Sequence, residues 1–109
     1  MEKIPYSDFE KLDLRVGKIL SVEDHPKADK LYILKVDLGE ESPRQILAGL
    51  KPFYKKDELL DKKAIFIANL EPRIIRGLES NGMILAAGID TKVVFLTTEK
   101  DIEVGSKIK

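Results

Sequence analysis

The chain has 109 residues, 43% apolar and 35% charged, and its 19 basic and 19 acidic side chains give a formal net charge of zero. That length sets one domain with one compact core, and a neutral total argues against a nonspecific nucleic-acid binder, which is ordinarily basic. The absence of cysteine excludes disulfide frameworks, thiolate metal sites and cysteine nucleophiles, and the single histidine, His25, leaves little basis for zinc or general-base chemistry.

In chain order, Ser7 to Glu10 has capping-box spacing and predicts a short helix ending near Asp13. RVGKILSVE is strand-like, with Gly17 suggesting a bulge or barrel bend. DHPKAD breaks it, because Pro26 cannot donate to a ladder and Asp24 and Asp29 favour turns. KLYILKVDL and RQILAGL read as the second and third strands, separated by the turn cluster GEESP. A helical turn is predicted around Asp57 to Leu60 within a lysine-rich stretch, and AIFIANL is the fourth strand. NLEPRIIRGLESNG leads as an opening segment into MILAAG, the fifth, and VVFLTT is one further strand-like run.

Five short strands, a helical element between the third and fourth, and a glycine in the first predict an all-β, five-stranded OB-type barrel, with an SH3-like barrel also compatible. The barrel core is expected over about 14–88, with an extension over 89–109, within one domain spanning 1–109. No apolar run approaches the roughly 18 residues of a membrane span, and MEKIPYSDFE lacks a signal core, so a reducing cytoplasm is expected. Neither common phosphate loop nor a GxSxG elbow occurs, so no catalytic residue, cofactor or metal is expected. Lys, Glu and Ile are plentiful while Asn and Gln together number three, a bias that resembles thermophile usage. Charge is unevenly placed: Arg44 to Lys63 holds six bases and three acids, Met1 to Asp13 two bases and four acids.

Four motifs occur in order: DLRVGKI (13–19), HPKADKLYIL (25–34), ILAGL (46–50) and NLEPRIIRGLESNGMILAA (69–87). Together they resemble the tRNA-binding OB domain. That domain is found at the carboxyl end of many methionyl-tRNA synthetases, in free-standing structure-specific tRNA-binding proteins and in cytokine-like synthetase-associated proteins. The resemblance implies a noncatalytic module that binds the outer corner of tRNA with little base specificity and aids methionyl-tRNA synthetase, either alone or as its carboxyl-terminal domain or beta subunit. It also implies a homodimer formed through the tail, with a synthetase catalytic subunit as a further partner. Some relatives are export-type peptide-binding chaperones, the alternative of another class.

Arg73, Arg76 and Ser80 are candidate contacts to tRNA phosphate or sugar, since a guanidinium is a planar, always-charged fork; the alternative is an exposed turn paired to Glu71 and Glu79. Relatives commonly carry lysine where this chain has Glu71 and Ile74. Arg44 and Lys30 are further phosphate candidates, against a solvated strand end and a solvated edge. Asn69 is placed either on a base edge or ribose or as the cap of the turn before Pro72. Met83 lies beneath a stacked base or in the core. His25 and Pro26 read as a structural turn, with Asp29 tying the loop by bonding nearby amides. Of the seven aromatic residues only Tyr32, Phe53 and Tyr54 are candidates for base stacking. That scarcity points to recognition of backbone shape.

Overall fold

The computed structural model of the chain covers residues 1–109. Helix α1 (Tyr6–Glu10) precedes strands β1 (Leu14–Asp24), β2 (Tyr32–Asp37) and β3 (Arg44–Ala48), then helix α2 (Lys56–Leu59), β4 (Lys63–Ile67), β5 (Arg73–Ile75), β6 (Leu78–Ser80), β7 (Met83–Ile84), β8 (Ala86–Ile89) and β9 (Lys92–Phe95). Five strands pair in the order β3-β2-β1-β4-β7. The sheet closes into an OB-type barrel where β3 meets the end of β6: the Asn81 N–H donates to Gln45 O (2.8 Å) and the Leu47 N–H to Ser80 Oγ (3.0 Å). No helix is long and apolar enough to cross a membrane.

The apolar positions of the barrel strands alternate inward. Leu34 and Val36 of β2, Ile46 of β3, Phe66 of β4 and Ile19 of β1 are fully buried, and Leu59 of α2 seals one end. Gly17 makes room for this core: a Cβ there would lie 2.7 Å from both Leu38 Cδ2 and Phe66 Cδ1. Of the bulge or bend suggested at Gly17, the bulge falls instead between Ile19 and Ser21.

Three further expectations are revised. Ser7 is not a cap; Pro5 occupies that position without any side-chain cap bond, and the helix stops at Glu10. The reason is tertiary, since the Asp13 N–H is taken by Asn69 Oδ1 (2.8 Å) and the Lys11 carbonyl by Asn69 Nδ2 (2.6 Å), which pulls the chain into the barrel. MILAAG divides into the two-residue β7 and a separate β8, which pairs with β9. The opening segment before it is no loop but the β5–β6 hairpin, with Arg73 opposite Ser80, Ile74 opposite Glu79 and Ile75 opposite Leu78.

The tail folds back on the barrel. Residues 105–108 run beside the first half of β1: the Val16 N–H donates to Ser106 O, the Gly105 N–H to Val16 O and the Ile108 N–H to Leu14 O, all at 2.8–2.9 Å. They cover the β1 edge that β2, paired from Lys18 onward, leaves open.

Candidate nucleic-acid interface

The four arginines divide into two groups. Arg15 and Arg44 sit in an ionic seam at the start of β1 and β3. Arg15 bonds both oxygens of Asp13 (Nε 2.9 Å, Nη2 2.8 Å), and Arg44 grips both oxygens of Glu40 at 2.8 Å while its third nitrogen donates to Ala68 O. Such bidentate forks are the strong form of the charged hydrogen bond. The Arg15 hydrogen bond holds the Asp13 carboxyl below its ordinary range, and the Arg44 hydrogen bond does the same for Glu40. Lys107 of the tail joins Asp13 at 4.0 Å.

Arg73 and Arg76 form no ion pair, with Glu71 or Glu79 or any other carboxylate. Both are exposed. The hairpin register explains this freedom. Glu79 is opposite Ile74, and side chains of adjacent strand residues leave on opposite faces, so Glu79 and Arg73 are on different sides. Arg76 and Gly77 form a two-residue turn with φ of 51° and 86°. Positive φ at both central positions matches the right-handed strand twist, and Asn-Gly is the usual solution. Arginine at such a tip is costly, by roughly 1–2 kcal/mol for a non-glycine residue in the left-handed region.

Beside the hairpin lies a groove of about 330 Å³, lined mainly by apolar side chains, including Leu31, Leu47, Leu50, Ile75 and Ile84. Arg73, Ser80 and Met83 also line it. Met83 is 45% exposed rather than in the core. Lys30 is exposed and precedes Leu31 on the loop between β1 and β2. The fold therefore brings Arg73, Ser80 and Met83 to one groove, together with Glu71, with Arg76 at the adjoining tip and Lys30 exposed on the loop that contributes Leu31. Arg44 and Asn69 lie apart, in the seam and at its margin.

The groove is held by polar side chains whose atoms are already engaged. Ser80, 7% exposed, accepts from the Leu47 N–H and donates to Gly82 O (3.1 Å). Gln45 Nε2 donates to Glu79 O (2.9 Å). His25, 4% exposed, accepts the Lys27 N–H on Nδ1 (3.0 Å), and its Nε2 lies 3.1 Å from Ile75 O. The expected turn role of His25 thus extends to the hairpin, 50 residues away. Nothing in the sequence marks Gln45 or its partner on β6.

Aromatic stacking surface is small. Tyr32 is buried with its hydroxyl donating to Tyr54 O (2.7 Å), and Tyr54 packs on Phe95 with ring centroids 5.3 Å apart. Of the three stacking candidates, Phe53 remains exposed, at 38%. Lys51 and Lys56 nearby both hold Asp24, at 3.1 and 3.2 Å.

A nearly closed five-stranded barrel with an arginine-bearing hairpin along an apolar groove defines an OB domain of the nucleic-acid-binding class. The chain belongs to the putative tRNA binding domain family, whose model matches residues 14–107. It is 55% identical over 109 residues to the methionine–tRNA ligase of Pyrococcus horikoshii and 53% identical over 109 residues to that of Thermococcus onnurineus, covering all of this chain and 15% of each ligase. The chain thus spans about 15% of the length of the ligases it matches. Among solved structures it is similar to a MetRS-related protein from Pyrococcus horikoshii (TM-score 0.92, 32% identity, 100% of both chains). It is also similar to a CsaA chaperone protein from Picrophilus torridus (TM-score 0.90, 38% identity, 98% of this chain and 100% of that one).

Proposed function

We propose that this tRNA-binding domain is noncatalytic and holds the phosphate backbone of folded tRNA across the β5–β6 hairpin and the loop between β1 and β2. Arg73 and Arg76 contact phosphate oxygens, Lys30 adds a third cation, and the Met83 side chain supports a sugar or base at the groove. Arg44, Asn69 and Ser80, whose polar atoms bond within the protein, shape this face rather than touch the RNA. The observation that carries the reading is Arg76: a free guanidinium at a strained turn where a smaller residue fits better. Strain of this kind concentrates at functional positions.

The domain serves a methionyl-tRNA synthetase by raising local tRNA concentration, as part of the same chain or as a separate subunit, in the cytoplasm. It pairs with a second copy through the outer face of the β8–β9 hairpin. Val93 and Phe95 pack on the core, so alternation turns Val94 and Leu96 outward, where they are 43% and 41% exposed beside Ile89 at 71%. A dimer doubles the footprint of a module that offers few contacts.

Titration with folded tRNA at several salt concentrations tests the reading. Each phosphate contact adds somewhat under 1 to the log–log slope, so three cations give about 2 to 3 per domain. A flat response refutes it. The apolar groove and the likeness to CsaA favour a second reading, a peptide-binding chaperone; suppression of aggregation without RNA binding would establish that one instead.

A further inference from the structure

The β5–β6 hairpin has three residue pairs, too few to be firm alone in water. Its base is fastened to β3 through Ser80 and Gln45. Its far end meets the barrel at His25. Because Nδ1 accepts the Lys27 N–H, the ring hydrogen resides on Nε2 and donates to Ile75 O, the last carbonyl before the Arg76–Gly77 turn. The same ring therefore fixes two segments: the loop bearing Lys27 and Lys30, and the tip bearing Arg76. The ring is buried, and both bonds are partly shielded from water.

We propose that His25 is a positioning residue for RNA binding, which sets the spacing between the cationic loop and the cationic hairpin before tRNA arrives. The inference rests on the phosphate-binding face proposed above. Preorganisation acts on affinity by removing ordering that the RNA would otherwise have to impose.

Two replacements separate the bonds. In His25→Asn the amide oxygen takes the place of Nδ1 and keeps the Lys27 bond, but the side chain is too short to reach Ile75. In His25→Gln the amide nitrogen takes the place of Nε2 and keeps the Ile75 bond. Loss of one buried hydrogen bond predicts binding of folded tRNA about 3- to 10-fold weaker for the Asn variant. The salt slope should fall with it, by about 0.7–0.9 for each phosphate that is no longer neutralised. The Gln variant breaks the other tie, to the loop bearing Lys30, and should weaken binding and lower the slope to a similar extent. A general loss of stability would lower the melting temperature without changing the slope of the folded fraction. If His25→Asn is folded and binds with unchanged affinity and slope, the inference is overturned. If His25→Asn does not fold, His25→Gln decides: a reduced slope in the folded variant supports the inference, and wild-type affinity and slope overturn it. Failure of the unmodified protein to bind tRNA in a salt-dependent way would instead remove the phosphate-binding face itself.

Discussion

The ionic seam and the hairpin contain the same residue type, in or beside the family motifs, yet the fold uses them oppositely. At the seam each arginine faces a carboxylate, so its charge is met within the protein. On the hairpin, strand alternation sends Glu79 to the face opposite Arg73, and Glu71, which lines the groove with Arg73, forms no ion pair. The contrast therefore lies in which guanidinium groups are paired, not in an excess of bases. A chain of zero net charge can in this way present a cationic edge.

The largest effect expected from breaking this contrast comes from the double variant Arg73→Ala/Arg76→Ala. Charge-assisted contacts contribute about 1.5–3 kcal/mol each, so tRNA affinity should fall by roughly 100-fold or more, with the melting temperature nearly unchanged. Arg44→Ala should do the reverse. It removes the bidentate grip on Glu40 and the bond to Ala68 O, and leaves Glu40 with Arg15 alone at 3.9 Å. A loss of about 1–3 kcal/mol is expected, or several degrees to more than 10 °C in melting temperature for a domain of this size, with tRNA binding by the folded protein within about twofold. If Arg44→Ala weakened binding as much as the hairpin variant, the division into seam and hairpin would be wrong.

A sharper and smaller test is Arg76→Asn. Asparagine tolerates the left-handed conformation that Arg76 is forced into at φ 51°, and Asn-Gly is the preferred pair for this turn. The variant should gain about 0.5–1 kcal/mol in thermal or denaturant unfolding while binding tRNA about tenfold more weakly. Opposite signs on stability and affinity would identify the tip as a place where local comfort yields to contact with a ligand. A gain in stability with unchanged affinity would remove Arg76 from the interface.

Most of the barrel is legible in the sequence because its strands are short apolar runs bounded by turn residues, and the fourth, KAIFI, lies almost where expected. The hairpin is not, because Arg73 to Ser80 shows no alternation strong enough to separate a three-residue strand from a loop. The site was legible as a list of side chains and illegible as a set of roles. Glu40 stands four residues before Arg44, and Glu79 three after Arg76, so local spacing offers each arginine a partner. Only strand register decides which pair forms. Likewise nothing near Ser80 or Asn69 in the chain reveals that the Leu47 N–H, 33 residues away, or the Asp13 N–H, 56 residues away, will claim the side-chain oxygen. His25 is the converse case, a turn residue by its neighbours whose second bond crosses to the hairpin.

Acid should separate the two regions with the smallest effect. Asp13 and Glu40 both have folded-state pKa values lowered from ordinary values of 3.8 and 4.5, by their hydrogen bonds to Arg15 and Arg44. A carboxyl lowered on folding contributes stability that is fully present above its unfolded value and disappears as pH falls through the folded one. The seam should therefore stabilise the protein fully above about pH 5.5 and begin to fail below the ordinary carboxylate range. Being partly exposed, each pair should account for about 1 kcal/mol or less. The hairpin arginines have no carboxylate partner to titrate, so they add nothing to this acid slope. Melting curves across pH 7 to 3 check the first statement. Glu40→Gln should flatten part of the acid slope while lowering stability at neutral pH, since it leaves Arg44 without its counter-charge. Asp24 and Asp101, also lowered by their lysine partners, should keep a residual slope in that variant. An acid slope unchanged by Glu40→Gln would mean that the seam is not where the pH dependence of stability resides.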